Sequence, residues 1–236
     1  CRNFFDIATR NGKSFHQVWN DPVLMDKVRV WGLEKMSALY LSWIRRAVYM
    51  ASGMHNPSFF RPHLAKQIIL STGKIQGTLF DPCAGWGGRM LGTVASGWNY
   101  IGCEPNKQTY DHLLEIVEFL GIDNFVTLHN VPYEELDLTT VGKVDVVLTS
   151  PPYFDLELYP SEDQSFDSFP DYQTWLQDYW AETVKLCQRV MRPGAKFGFV
   201  ISNYVNRQKE WVTISEDMSA VAGQYLTPAG RYRVQW

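Results

Sequence analysis

Hydrophobic and polar positions along this chain follow two periods in turn. Thr78-Leu79-Phe80 is a short run of strand-like composition, and Tyr100-Ile101-Gly102-Cys103 is a second. Three more runs read the same way: Phe125-Val126-Thr127-Leu128, Val144-Asp145-Val146-Val147-Leu148-Thr149 and Lys196-Phe197-Gly198-Phe199-Val200-Ile201. Helical spacing fills the intervals. A helix is expected from about Arg89 to Ser96, another over Asn106–Leu120 stopped by Gly121, and a third over Tyr172–Met191 stopped by Arg192-Pro193-Gly194. Strands that alternate with helices in this way predict an α/β fold with a doubly wound sheet, assigned to residues 56–236. Upstream, Val30–Ala51 reads as one amphipathic helix, with Trp31, Leu33, Met36, Leu39, Tyr40, Trp43, Ile44 and Val48 near a 3.6-residue period. Residues 1–55 are therefore read as a helical N-terminal extension. After Trp211, a helix over Ser215–Gly223 and a strand over Gly230–Trp236 are expected.

Two segments sit at strand ends, where such a fold places its chemistry. Ser150-Pro151-Pro152-Tyr153 follows the strand at 144–149. Proline fixes φ and has no N–H, so this segment offers carbonyl acceptors without competing donors. An aromatic ring beside those acceptors suits a planar group carrying an NH2. An ordinary Pro-Pro turn would look similar taken alone. The second segment is Asp81-Pro82-Cys83-Ala84-Gly85-Trp86-Gly87-Gly88, a glycine-rich turn between strand and helix. Gly85, Gly87 and Gly88 permit a sharp turn and close approach of a ligand, and a helix N-terminus beyond them favours an anionic group. Glu104, at the end of the next strand, stands about 20 residues on, the spacing of an acid that binds a ribose. The glycine spacing is not G-x-G-x-x-G, which disfavours a nicotinamide or flavin dinucleotide.

Together these residues resemble a known family. Asp81-Pro82-Cys83-Ala84-Gly85-Trp86-Gly87-Gly88 is similar to the S-adenosylmethionine-binding motif of Rossmann-like, class I methyltransferases. Ser150-Pro151-Pro152-Tyr153 resembles the catalytic motif of nucleic-acid amino-methyltransferases, which act on adenine-N6 or cytosine-N4. Asn56-Pro57-Ser58-Phe59-Phe60-Arg61-Pro62 resembles, more loosely, the segment that precedes the cofactor motif and closes over the methionine moiety. The likeness covers roughly residues 56 to 204. It implies Phe60, Arg61, Asp81, Cys83, Ala84, Gly85, Trp86, Gly87, Gly88, Glu104, Pro105, Asn130 and Val131 as cofactor-binding, and Ser150, Pro151, Pro152 and Tyr153 as catalytic. Asn130 departs from the acid common at the adenine-contacting position, although an amide can also accept from the adenine amine; Glu134 and Glu135 stand nearby. Serine at the head of the tetrad is associated in the family with cytosine, but both bases stay open. The order of the motifs fits the non-permuted members. One more antiparallel strand normally closes the family sheet and is not found here. Because the chain also begins on Cys1, it reads as lacking parts of its natural sequence.

Charge narrows the partner. Residues 1–80 carry 11 Lys/Arg against 4 Asp/Glu, and residues 81–236 carry 11 against 21. A basic first third on an acidic remainder suggests that the first third meets phosphates. Arg45 and Arg46 are the preferred nucleic-acid-binding candidates, with Arg2, Arg10, Lys13, Lys27, Arg29, Lys35 and Lys66 also available; a merely solvated helix face would look the same. Composition, with 45% hydrophobic and 14% aromatic residues, excludes disorder. No apolar run reaches the ~18 residues of a membrane span. The four cysteines, Cys1, Cys83, Cys103 and Cys187, lack C-x-x-C spacing, so neither a zinc site nor a disulfide framework is indicated. The chain reads as an intracellular, cytoplasmic protein, in a host cell if viral, with S-adenosylmethionine as cofactor, DNA as partner, and no metal or membrane.

The stretch Phe154–Asp171 is long, acidic and aromatic, and is read as a lid over the target base. The expected reaction is methyl transfer to an exocyclic amine of a flipped or single-stranded base. Ser150 and the Pro151 carbonyl would accept its N–H groups, and Tyr153 would stack on the ring. RNA, a protein glutamine amide, a catalytically silent binding subunit and a different adenosine-containing ligand remain as rivals.

Overall fold

The computed structural model describes residues 13–35, 44, 46–48, 59–154, 169–206 and 209–232. Within them, five strands form one sheet: β1 (Thr78–Asp81), β2 (Asn99–Cys103), β3 (Val126–His129), β4 (Val144–Thr149) and β5 (Met191–Phe199). Their spatial order is β3-β2-β1-β4-β5, and every pairing is parallel. This is a Rossmann-like doubly wound sheet, as the alternation of strands and helices predicts. The order reverses between β1 and β4, so the crevice at their C-terminal ends is the switch point where such sheets bind ligands.

Burial follows the two-residue period of the strands. Leu79, Tyr100, Val146 and Leu148 face a core built with α3 (Pro62–Leu70), α4 (Gly88–Val94) and α5 (Lys107–Leu120). Phe80, Ile101, Cys103 and Val147 face the opposite core, against α7 (Ala181–Val190) and the π-helical turn Trp175–Trp180 that leads into it. All six residues of β4 are buried, as a central parallel strand requires. The helix α5 shows the local logic: Asn106 caps it by accepting from Thr109 N–H at 2.9 Å, Leu113 and Val117 bury one face, and Gly121 ends it at φ 62°. A smaller core of Val18, Val28, Ala47 and Val48 joins α1 (Phe15–Trp19), α2 (Pro22–Lys35) and residues 46–48.

Several expectations need correction. The helix expected from Val30 begins at Pro22, because Asp21 accepts from Val23 and Leu24 N–H and starts it eight residues earlier; most of 36–51 lies outside the described residues. Helix α4 starts at Gly88 and ends at Val94, and β3 runs Val126–His129 because Asp123–Phe125 is a 3-10 turn. Arg192-Pro193-Gly194 does not separate helix from strand but lies inside β5. The register jumps from Val144↔Met191 to Val146↔Lys196, Gly194 takes φ 77°, and the excess residues bulge out, which is how an edge strand accommodates a proline. A two-stranded antiparallel pair, β6 (Tyr204–Val205) with β7 (Trp211–Val212), precedes α8 (Ile214–Ala222) and has no counterpart in the expectations. Residues 230–232 are not strand, and 233–236 lie outside the described residues. Of the stretch read as a lid, 155–168 also lies outside; Asp171, counted there as a lid acid, is instead the N-cap of α6 (Tyr172–Thr174), accepting from Thr174 N–H at 2.8 Å.

Candidate active site

The turn after β1 is held from below by a buried ion pair. Asp81, fully buried, accepts from Arg89 Nε at 2.7 Å and from the Tyr100 hydroxyl at 2.9 Å. Arg89 reaches back to the Cys83 and Ala84 carbonyls, and its guanidinium lies 5.0 Å from the Phe60 ring centroid. Asp81 thus braces the turn instead of facing a ligand. Gly85 and Gly87 take φ 56° and 81°, where only glycine is unstrained. Gly88 serves another purpose: a Cβ there would stand 1.9 Å from the Phe60 carbonyl oxygen. Its missing side chain lets Phe60 and α4 touch, which seats the 59–62 segment against the turn.

At the neighbouring strand end, the Ser150 hydroxyl donates to the Val200 carbonyl at 3.1 Å. Its one proton is committed there, so towards anything else this oxygen is an acceptor. Tyr153 is half-buried, its ring edge-on to Tyr204 at 5.4 Å and its hydroxyl 2.9 Å from Ser202 Oγ. The two strand ends share one cavity of about 140 Å³, lined by Ala84, Gly85, Trp86 and Gly88 from the turn and by Ser150, Pro151 and Tyr153 from the tetrad. Phe59, Phe60 and Arg89 close it on one side and Val200, Ile201 and Ser202 on another.

The remaining candidates form a second group beside the cavity. Glu104 accepts from Gly85 N–H at 2.9 Å with one oxygen and from Asn106 N–H at 3.0 Å with the other. Burial pushes its carboxyl up to about 7, against the two N–H bonds that favour the anion. Asn130 donates its NH2 to the Glu104 and Pro105 carbonyls at 2.8 and 3.1 Å, leaving its amide oxygen as the acceptor. Val131 packs against the core that faces α7. Gly85 therefore links the two groups. Cys83 lies outside the cavity lining, and burial pushes its thiol up to about 12, so it is neutral and no nucleophile.

No family model and no curated protein matches the sequence. Solved structures with a similar backbone include a glycopeptide N-methyltransferase, MtfA, complexed with S-adenosylmethionine (16% identity, 61% of this chain and 56% of that one, TM-score 0.42). TrmN from Thermus thermophilus is another (15% identity, 58% of this chain and 37% of that one, TM-score 0.42). A third is the cyclopropane synthase MmaA2 from Mycobacterium tuberculosis (15% identity, 67% of this chain and 43% of that one, TM-score 0.39). The chain spans between 37% and 56% of the length of these proteins. The strand order, not these likenesses, assigns the fold.

Some predicted residues stand apart from the cavity. Arg61 is exposed at the start of α3, and Pro152 is half-buried outside the lining. Arg45 lies outside the described residues; Arg46 is exposed. Two of the other basic candidates are engaged within the chain, Lys13 with Asp21 and Arg29 with Asp26, both at 3.1 Å. Conversely, Phe59 stands only within the loosely matching 56–62 segment, and the lining residues Arg89, Val200, Ile201 and Ser202 were not singled out from sequence. The last three follow the β5 end, and a parallel sheet sends every strand's C-terminal end to the same edge, so topology was the signal that could have found them. Among the described residues no group of His, Cys, Asp and Glu could hold a metal ion, and no helix is long and apolar enough to cross a membrane.

Proposed function

We propose that this chain is an S-adenosylmethionine-dependent methyltransferase acting on the exocyclic amino group of a base in DNA, adenine-N6 or cytosine-N4. One observation carries the reading: the glycine turn after β1 and Ser150, Pro151 and Tyr153 after β4 line a single cavity at the switch point of the sheet.

The residues present fit the cofactor. Each Glu104 oxygen accepts one backbone N–H, and a carboxylate oxygen has a second lone pair, enough to receive the two hydroxyls of a ribose. A Cβ on Gly85 would meet nothing nearer than the Cys83 carbonyl at 3.9 Å, so the absent side chain leaves open space over the turn. When bound, the cofactor supplies a methyl group on a sulfonium, which leaves without acid assistance.

The protein's task is then the nucleophile, an amine whose lone pair is delocalised into its ring. Ser150 Oγ, with its own proton on Val200, accepts one N–H, and the Pro151 carbonyl accepts the other. Drawing these hydrogens to one side localises the lone pair towards the methyl carbon. Tyr153, Phe59, Phe60 and Trp86 supply aromatic walls to hold a planar ring. With the cofactor held beside Gly85 and Glu104, the N–C bond would form at the expense of the donor's C–S bond, and the amine's surplus proton, acidic only after transfer, would leave to water. Positioning and preorganised acceptors supply the acceleration. A base within a duplex cannot reach this cavity, so the target is flipped or single-stranded. Support for nucleic acid is the net +7 of residues 1–80.

The test incubates the protein with tritiated S-adenosylmethionine and DNA or RNA of mixed sequence, then identifies the labelled nucleoside. Label as N6-methyladenine or N4-methylcytosine in DNA is expected, and Ser150→Ala and Tyr153→Ala should each lower it by about 10²-fold while cofactor binding by calorimetry is unchanged. Label confined to RNA would transfer the reading to that polymer. Near-normal transfer in both variants would overturn the mechanism.

A further inference from the structure

Resting on that proposed reaction, we infer that Ser202 is a positioning residue for Tyr153, and that Asn203 anchors Ser202 to helix α8. The two prolines of the tetrad fix their own φ angles but leave the side-chain torsions of Tyr153 unset. Those torsions are held from the segment that leaves β5. Ser202 touches the Tyr153 hydroxyl twice, through Oγ at 2.9 Å and through its backbone N–H, which donates at 3.2 Å. Tyr204, two residues on, packs its ring against the Tyr153 ring at an interplanar angle of 87°. Val200, two residues before, receives the Ser150 hydroxyl. One five-residue segment therefore sets both the acceptor at the head of the tetrad and the ring at its end.

Asn203 explains why this segment keeps its place. Its amide oxygen accepts from Ser215 N–H at 2.9 Å and its NH2 donates to Glu216 Oε2 at 2.7 Å, both in the first turn of α8. Glu216 is held in turn by Arg231 at 2.8 Å. A polar chain thus runs from Arg231 through Glu216 to Asn203, and the peptide bond to Ser202 carries the anchorage on to Tyr153. In-line transfer tolerates little error in the plane of the acceptor, so losing the Ser202 hydroxyl should slow transfer without unseating the cofactor.

The test reads the ring directly as well as through activity. Protein labelled with 3-fluorotyrosine gives a 19F resonance for Tyr153, assigned by its loss in Tyr153→Phe. Ser202→Ala should shift or broaden that resonance alone and lower kcat by about 10- to 100-fold with cofactor affinity and thermal midpoint unchanged. Ser202→Thr, which keeps the hydroxyl, should restore both, and Asn203→Ala should reproduce the Ser202→Ala spectrum. An unmoved Tyr153 resonance in Ser202→Ala would overturn the inference, as would a moved resonance with undiminished kcat. If the resonance moves but the unsubstituted protein transfers no methyl group, the positioning contact stands and the proposed reaction fails.

Discussion

Arg89 and Asp81 are buried together under the glycine turn, at 5% and 0% side-chain exposure. Removing one member of such a pair strands the other charge in a medium that cannot solvate it. Arg89→Met should therefore destabilise the protein by about 3–5 kcal/mol, seen as a lowered urea midpoint. Glu104 makes a different prediction, about pH. Its carboxyl sits at about 7 in the folded protein against 4.5 ordinarily, chiefly through burial. The folded state thus holds this proton more tightly than the unfolded chain. Its contribution to stability is complete below about pH 4.5 and is lost as pH rises through about 7. Unfolding free energy measured from pH 4.5 to 8 should fall across that window, and Glu104→Gln should flatten the fall. The spacing of an acid 19 residues beyond Gly85 is legible in the sequence. That its two oxygens would lie on Gly85 and Asn106 is not, because this depends on how β2 ends beside the turn.

Helix α4 meets α3 and the 59–62 segment leading into it through two glycines one helical turn apart. A Cβ on Gly88 would stand 1.9 Å from the Phe60 carbonyl oxygen, and one on Gly92 would stand 2.1 Å from the Pro62 carbonyl oxygen. Backbone cannot yield as a side-chain tip can, so Gly92→Ala should cost about 1–3 kcal/mol or more. By contrast Gly97→Ala meets nothing within 4 Å and bears only its φ of 75°, a cost of about 1–2 kcal/mol. Thermal unfolding should give Gly92→Ala the lower midpoint of the two variants. The sequence marks Gly85, Gly87 and Gly88 as one group, yet the first two turn the chain and the third admits a neighbouring backbone. Helix α2 shows the reverse case: Asp21-Pro22 is a legible helix start, but the hydrophobic spacing farther along drew the expected boundary to Val30.

Across the whole molecule, a second charged cluster lies at the edge of the sheet opposite the cavity. Asp145, near the start of β4, binds Lys74 at 2.7 Å, Arg192 at 2.6 Å and Thr78 N–H at 3.0 Å, tying β1, β4 and β5 together below. Ser150 stands five residues on, ~17 Å away along an extended strand. Asp145→Asn should lower stability by about 1.5–3 kcal/mol, the worth of hydrogen bonds to a charged group, and leave kcat within about twofold. Ser150→Ala should do the converse. Chemical denaturation and methyl transfer measured on both proteins check the separation; a variant that lost both properties together would refute it.

Taken alone, the sequence determined the strands and helices of residues 78–199, to within a few residues, and marked the two segments proposed to bear chemistry. Strand composition, helix caps and the scarce combination of glycines and prolines are local properties, and local properties survive in one dimension. Strand order is not local. Only the tertiary structure set β4 beside β1, and so brought Gly85 and Ser150, 65 positions apart in the numbering, to one cavity. It also assigned Asp81 to bracing the turn, made Ser150 an acceptor by giving its proton to Val200, and placed Ser202 on Tyr153. Each of these depends on which strand end lies next to which, and a parallel sheet decides that by packing its two faces, not by the order of its residues.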